Sequence, residues 1–571
     1  MCGIVGFNFN DAALIARCVK KISHRGPDAV GKFQDNFVSL GHARLSVLDV
    51  SEKANQPMFN KKNDICIIFN GEIYNFLELK KKLPEYEFNT TSDTEVILYL
   101  YEKFGEDFAG MLNGIFTIAI YDMRKKKLSL YRDPIGIKPL YYYFKGGKLI
   151  FASEIKAILE FDELKKKINH SSLKAFLNLR FIPWPLTIFE DIFKLPPGHM
   201  LSYSDNKISI KKFCYDSPKS FQNGDNLEKN IRERLENAVK SQMISDVELG
   251  AFLSGGVDSS IVVGLMSKYS EKAVKTFSIG FPGSEFDETK YAGIVSKEFN
   301  TDHYAFDVDE SDAIKHLEDI VYHLDEPLSD PAAIPTYVLS KKAKKQVSVV
   351  LTGEGADELF WGYEQVKIIK KTELLFKLPK TLRSRGGFIL RFLPDSLLNN
   401  ILPYYGLLGK EALNRVDLFL ASKNDIEKYI SMVEIFTDQE YLGLIGFPAE
   451  FKIFDLIKSQ TDSTGLKQII DFEFNNTLPE NLLMKVDKTS MSFGLEARVP
   501  YLDLDFSSYV NSVPNSIKFS GNIEKNVLRK SFKDLLPKTI LNRKKQRFFV
   551  PINEWLKKDL SSISEKQVQA L

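Results

Sequence analysis

Cysteine is scarce in this chain, with four among 571 residues, at positions 2, 18, 66 and 214. That is too few for a disulfide scaffold, and no Cys-x-x-Cys pair offers the spacing of a structural zinc site. A reducing cytoplasm is the compartment such usage suits. Cys18, Cys66 and Cys214 sit among apolar neighbours and read as small core hydrophobes. Neither sign of charge is in excess: 77 Lys and Arg against 75 Asp and Glu leave a net charge of +2. This excludes the strong basic field of a nucleic-acid binder. Long hydrophobic runs are missing too, since no stretch reaches the about 18 uninterrupted apolar residues of a membrane span. Gly387–Gly409 comes nearest and is broken by Arg391, Pro394, Asp395 and Pro403. The amino end lacks the charged start and cleavage site of a signal peptide. What is present is an ordinary soluble composition, 44% hydrophobic and 27% charged, in a chain long enough for about two to four domains.

Residues 1–207 read as short strands joined by turns, among them ICIIFNGEIYN, GIFTIAIYD, KLSLYRD and KLIFASE. Helical periodicity interrupts them over Asp11–Ser23 and Ser92–Phe104, the second opening on TSDTE, which supplies caps and early acids. The pattern predicts an α+β domain of packed antiparallel sheets. The polar stretch 208–225 reads as a linker. From Asn226 the rhythm changes to strand alternating with helix, predicting a parallel sheet with helices on both faces over 226–571. Beyond Phe360 the chain reads as mostly helical. Between Lys367 and Arg391 eight basic residues face one acid, Glu373, interleaved with Ile, Leu and Phe. A solvated amphipathic helix pair explains this run, and contact with an anionic membrane or an acidic partner is the alternative.

Two glycine turns carry the chemistry of the second half. LSGGVDSS (Leu253–Ser260) joins a predicted strand, ELGAFL, to a helix predicted from Ser259. Its glycines, the hydroxyls of Ser254 and Ser259 and the helix start form an anion cradle. Asp258 inside that cradle makes sense if Mg²⁺ stands between it and phosphates. The loop lacks the lysine of a γ-phosphate-transferring loop. A plain turn with a helix cap is the competing reading of the spacing. LTGEGADE (Leu351–Glu358) closes another strand at the same expected sheet edge, where a doubly wound fold binds its ligand.

At the other end stands MCGIVGF. Cysteine is a suitable nucleophile for an amide carbonyl when a base is close. The seven histidines form no local Cys–His signature. A cysteine at position 2 needs none: with Met1 removed, its own α-amine, of unperturbed pKa about 8, can be the base. A chain that keeps Met1 is then a precursor of that site.

SGGVDSS resembles the pyrophosphate loop of the ATP pyrophosphatases, which adenylate an acceptor. CGIVGF, SHRGPDAVG, ARLSVLD, FNGEIYN, TSDTE and RDPIGIKPLYY, in this order, resemble the class II glutamine amidotransferase domain. With SFGLEARVPYLD (Ser492–Asp503), the whole is similar to the glutamine-hydrolysing asparagine synthetase family. The resemblance implies a four-layer α/β/β/α sandwich of N-terminal-nucleophile-hydrolase type, then an adenine-nucleotide α-hydrolase-like α/β domain with a helical C-terminal extension. It makes Cys2 the nucleophile, with Asn70 and Gly71 as the oxyanion hole. Glutamine would be held by Arg44, Leu45, Ser46, Val47, Leu48, Asn70, Gly71, Glu72 and Asp93. ATP would meet Leu253, Ser254, Gly255, Gly256, Asp258, Ser259, Ile279, Thr352 and Gly353, with Mg²⁺ on Asp258 and Asp357. Glu354 is implied in forming the acyl-adenylate, and Lys525 in stabilising the charge of ammonia attack. Taken singly, Arg44 as an ion pair, Asn70–Gly71 as a turn or Asp93 as a cap would be ordinary. The implied partners are glutamine, ATP and a carboxylate acceptor, with a homodimer left open.

Two positions depart from the family pattern. Trp361-Gly362-Tyr363 stands where the family carries Gly-Gly-Tyr, and Lys545-Gln546-Arg547-Phe548 where it carries Lys-Gln-Gly-Phe. Three readings follow: asparagine synthesis from aspartate, amidation of a sugar uronate by the same mechanism, or a silent protein that kept the fold. Retention of Cys2, Asp258 and Glu354 speaks against the third.

Overall fold

Strand β1 (Gly3–Phe7) is buried on both faces, and its alternation decides the layering of the first half. Val5 and Phe7 point into one core, Ile4 into another, as the two-residue period of a strand requires. The computed structural model describes residues 1–213, 220–284, 287–362, 364–392, 394, 397–398, 410–518, 524–543, 550–551 and 555. Cys214, Tyr363 and the Lys545–Phe548 departure lie outside them.

β1 belongs to an antiparallel sheet with β2 (Ala29–Gln34), β3 (Ser39–Arg44), β8 (Tyr141–Lys145), β9 (Lys148–Ala152) and β10 (Ile192–Lys194), ordered β10-β8-β9-β1-β3-β2. A second antiparallel sheet runs β12-β11-β7-β6-β5-β4. Its strands are β4 (Met58–Phe59), β5 (Ile65–Ile73), β6 (Gly114–Asp122), β7 (Lys127–Arg132), β11 (His199–Ser204) and β12 (Lys207–Lys212). Cys66 and Ile68 of β5 meet Ile4, Leu40 and Phe151 between the sheets. Ile65, Ile67 and Phe69 face outward, under the helix Asp93–Phe104. On the far side the helix Ala12–Ile22 lays Leu14, Ile15, Cys18, Val19 and Ile22 on the first sheet. The order is therefore helix, sheet, sheet, helix. Side chains of Asp11 and Ser92 cap the two helices, accepting from the N–H of Leu14 at 2.8 Å and of Thr94 at 3.2 Å. Residues 208–212, the first of the stretch that reads as a linker, lie in β12, which pairs antiparallel with β11 and extends the second sheet.

The second half is built on a parallel sheet, β15-β14-β13-β16-β17. These strands are β13 (Leu249–Phe252), β14 (Lys275–Gly280), β15 (Asp302–Asp307), β16 (Val349–Leu351) and β17 (Glu496–Arg498). The chain leaves β13 to build β14 and β15 on one side, then returns to place β16 on the other. That reversal opens a crevice at the carboxyl ends of β13 and β16. The helix expected from Ser259 starts at Val257. Strand β17 was not expected, because the chain past Phe360 reads as helical. It arrives after a long helical excursion that includes the π-helical stretch Glu473–Leu483. Among the described residues no helix is long and apolar enough to cross a membrane.

The halves share one core. Leu45, Val47 and Ile115 of the first pack in the same cluster as Leu253, Val257 and Val499 of the second. Buried ion pairs close the seam: Arg25–Asp487 at 2.9 Å, Lys138–Asp487 at 3.0 Å and Lys194–Glu480 at 3.0 Å. A charge taken from water this completely must keep its partner, so the pairs fix how the halves meet.

Candidate active sites

At the amino end, β1 holds Cys2 beside the ends of β3 and β5. Cys2 donates its peptide N–H to Asn70 Oδ1 at 3.0 Å, and its carbonyl oxygen accepts from Arg25 Nε at 3.1 Å. Its Sγ lies 3.9 Å from the Leu45 carbonyl oxygen. Burial pushes the thiol above its ordinary pKa, so an unaided Cys2 is protonated at neutral pH. Met1 is sealed in the seam, its ammonium 2.7 Å from Glu496 Oε2, with both groups buried. In this form Cys2 therefore carries a peptide nitrogen and has no free amine.

Arg44 ends β3, and the loop that follows positions its guanidinium. Nη1 donates to the Ser51 carbonyl at 2.8 Å and Asn55 Oδ1 at 2.7 Å, and Nη2 to the carbonyls of Leu48 and Asp49. The same loop carries Ser46, whose N–H donates to Asp28 Oδ2 at 2.7 Å, and Val47, whose carbonyl accepts from Asp246 N–H at 3.0 Å. Asn70 and Gly71 lie inside β5, not in a turn. A Cβ on Gly71 would stand 2.0 Å from the Ile115 carbonyl oxygen, so the approach of β6 demands glycine. Asp93 opens its helix and accepts from Ile73 N–H at 2.9 Å, with burial pushing its carboxyl up to about 6. Cys2 and Asp93 both act electrostatically on Arg44, and Asp93 acts on Glu72. The motifs thus converge from five segments.

Glu72 brings in a partner that sequence reading did not supply. Its Oε2 accepts from Arg498 Nη2 at 3.1 Å, while Arg498 Nε donates to Glu496 Oε1 at 2.6 Å. Glu496 and Arg498 belong to SFGLEARVPYLD, whose only signal was its resemblance. Strand β17 thus touches the Cys2 neighbourhood through Met1 and Glu72.

The second site is a cavity of ≈ 520 Å³ in the crevice of the parallel sheet. Leu253, Ser254, Gly256, Asp258 and Ser259 line it from the first glycine turn, and Ile279 from the end of β14. Thr352, Gly353, Glu354 and Asp357 close it from the second turn, with Lys525 opposite. Gly255 is set back from it. At φ 71° its Cβ position lies 2.5 Å from the Ala292 nitrogen, so only glycine fits against that helix. Ser254 and Ser259 share a hydroxyl contact of 3.1 Å, and Gly256 starts the helix Val257–Tyr269 without a side-chain cap.

Lys525 stands at the centre. Its Nζ lies 2.6 Å from Asp258 Oδ2 and 2.7 Å from Asp357 Oδ1, and these two carboxylates hold it above the ordinary lysine pKa. Two carboxylates converging on one cation position are hard oxygen donors of the kind Mg²⁺ takes, with substrate phosphates and water completing its shell. Among the described residues no three His, Cys, Asp or Glu gather as a metal site, and Asp258 and Asp357 supply two oxygen donors. Glu354 is pushed up by burial, with Lys485 opposing the shift. Sequence reading missed Arg180, Lys485, Arg529 and Arg543, which add positive charge to the cavity wall. Arg180 and Lys485 lie outside every motif, while Arg529 and Arg543 lie 4 and 18 residues beyond Lys525.

Of the two departures, Trp361 is described. It ends the helix Ala356–Phe360 in the left-handed region, at φ 56°, and is 3% exposed. A tryptophan thus occupies a conformation that favours glycine, beside the cavity-lining Gly362.

Residues 1–214 match the family model for a glutamine amidotransferase domain, and residues 230–571 the model for asparagine synthase. The class is therefore a glutamine amidotransferase domain joined to a carbon–nitrogen ligase that takes glutamine as amido donor. The chain is 34% identical over 592 residues to the glutamine-hydrolyzing asparagine synthetase 1 of Bacillus subtilis, spanning 100% of this chain and 91% of that one. It is 38% identical over 528 residues to a putative glutamine-hydrolyzing asparagine synthetase 2 of Methanocaldococcus jannaschii, spanning 86% and 98%. It is also 28% identical over 579 residues to the amidase chry2 of Gibberella zeae, spanning 94% and 84%. The chain belongs to the asparagine synthase family.

Proposed function

We propose that the chain converts a carboxylate to its amide through an acyl-adenylate, with nitrogen from glutamine, ATP cleaved to AMP and PPi, and aspartate as the acceptor. The observation that carries this reading is the shared core. Leu45 and Val47, on the loop after Arg44, and the cavity residues Leu253 and Val257 belong to one apolar cluster, so both sites stand on the same dry core.

The chemistry starts from a protonated thiol. With Met1 removed, the α-amine of Cys2 sits at the nitrogen now 3.0 Å from Asn70 Oδ1. There it takes the thiol proton as Sγ attacks the glutamine amide. Asn70 Nδ2 and the Gly71 N–H meet the charge that develops on the carbonyl oxygen. Arg44 holds the α-carboxylate as a planar fork, and Asp93, with Glu72 beside it, takes the α-ammonium. Ammonia leaves, and water releases glutamate from the thioester.

A carboxylate is a poor electrophile, and adenylation supplies a leaving group better than oxide. In the second cavity the glycine turn and Ser254 and Ser259 cradle the phosphates, while Leu253, Ile279, Thr352 and Gly353 border the adenylate. Asp258 and Asp357 would hold Mg²⁺, and the ion would supply neutralisation of phosphate charge. Glu354 orients the acceptor carboxylate for attack on the α-phosphorus, from which PPi departs. Ammonia then attacks the acyl carbon, Lys525 stabilises the tetrahedral charge, and AMP leaves.

A second acceptor has support of its own: Trp361, beside the cavity-lining Gly362, stands where the family carries glycine. In that reading the substrate is a sugar uronate of surface-polysaccharide synthesis. One assay separates the two. With glutamine, ATP and Mg²⁺ present, PPi and AMP release is measured across aspartate and candidate uronates. Saturable stimulation by aspartate is expected. No response to aspartate with saturation by a uronate would overturn the first reading.

A further inference from the structure

Among the described residues, eleven of the twenty exposed large hydrophobic side chains lie between positions 374 and 447. The densest group falls in the basic segment that the two active sites leave unused. Phe376 anchors this segment inward. Its ring meets Phe419 edge-on at 5.4 Å, with the Arg383 guanidinium 4.1 Å and the Lys428 ammonium 3.8 Å from its centroid. Arg383 also donates to the Ser422 carbonyl at 3.2 Å. With Phe376 and Arg383 turned in, the leucines around them are turned out. Leu374 is 75% exposed, Leu378 47% and Leu382 53%, and Phe392, past the helix Lys380–Leu390, is 73% exposed.

The cations divide in the same way. Lys367 pairs with Glu524 and Arg391 with Asp417. Lys371, Lys377 and Lys380 are exposed and make no ion pair with a described residue. Leucines standing out between these lysines leave apolar surface in water that a covering surface would remove. A second copy of the same face would gather the lysines of both copies at one contact. Lysines standing among outward leucines complement a surface that is anionic at its rim and apolar just beneath.

We propose that residues 371–382 dock the chain peripherally on an anionic lipid bilayer, with Leu374, Leu378 and Leu382 at the acyl boundary and Lys371, Lys377 and Lys380 at the headgroup phosphates. The inference is independent of which carboxylate is amidated.

The test is co-sedimentation of the full chain with phosphatidylcholine vesicles and with vesicles carrying about 30% phosphatidylglycerol. Binding to the anionic vesicles is expected to be at least about tenfold tighter and to weaken as salt rises. The triple change Lys371→Glu, Lys377→Glu, Lys380→Glu and the triple change Leu374→Asp, Leu378→Asp, Leu382→Asp should each reduce it about tenfold or more. Glutamine hydrolysis, unchanged in both variants, shows that they are folded. Failure to bind either vesicle, or binding that both variants retain, overturns the proposal. So does sedimentation as a dimer that the leucine variant dissolves, or capture by an acidic polypeptide with none by vesicles.

Discussion

In the amino-terminal half the candidate groups hang from strands that lie close together in the chain, whereas the carboxyl-terminal half joins Asp258 to Lys525 across 267 positions. Their electrostatics differ as well. Around Cys2, burial raises the thiol and lifts Asp93 to about 6, so both hold a proton more readily than they would in water. Around Lys525 the charges are present and paired, two carboxylates on one ammonium. The first site needs a base delivered to it, and the second needs only a substrate to redistribute charge that is already in place.

The largest test of that contrast is Cys2→Ala. Glutamine-supported synthesis should fall by about 10⁴-fold or more, with ammonia-supported synthesis within about twofold of the parent. If glutamine still serves, Cys2 is not the nucleophile. Lys525→Ala should act in the opposite sense. Acceptor-dependent amide formation, with its release of AMP, should drop about 10²–10³-fold while glutaminase activity stays, and equal loss of both would erase the division between the halves. Arg498→Ala probes the seam, because it leaves Glu72 and Glu496 buried without their guanidinium. Breaking a buried pair of this kind costs about 3–5 kcal/mol, read as a lower denaturant midpoint, and an unchanged midpoint would show that the seam does not depend on it.

The smallest effect is one of pH. Because burial raises Asp93 to about 6 from an ordinary 3.8, the folded chain binds that proton more tightly than the unfolded chain does. Its contribution to stability is present below the unfolded value and is lost as pH rises through the folded one. Binding of the glutamine ammonium needs the ionised form, so KM for glutamine should climb about tenfold per unit below pH about 6. A flat KM from pH 5 to 7, in steady-state assays at saturating ATP, would move that role away from Asp93.

Where candidate groups sit on short consecutive strings, the sequence was readable. MCGIVGF, FNGEIYN and TSDTE pointed to Cys2, Asn70, Gly71 and Asp93, which the fold brings into one neighbourhood, and the turn LSGGVDSS was found between strand and helix. Alternation in β5 and β6 and the capped helix at Ser92 announced the sandwich, because two-residue and 3.6-residue periods are local signals. Strand β17 was missed because it has three residues buried on both faces and lies amid helices, so it shows no period. Arg180, Lys485 and Arg543 were missed for a related reason: each is an ordinary cation until the fold brings it to the cavity. The contact between Met1 and Glu496 spans 495 positions, and no pattern within a window records it.

That last contact has a consequence in time. At about 5–20 residues added per second, Glu496 is made about 25–100 s after Met1. For this interval the amino terminus has emerged and its eventual lock does not yet exist, so a peptidase that trims Met1 meets an open end. Once β17 joins the sheet the same end is shut inside the seam. The order of synthesis thus sets when the amino terminus passes from open to enclosed.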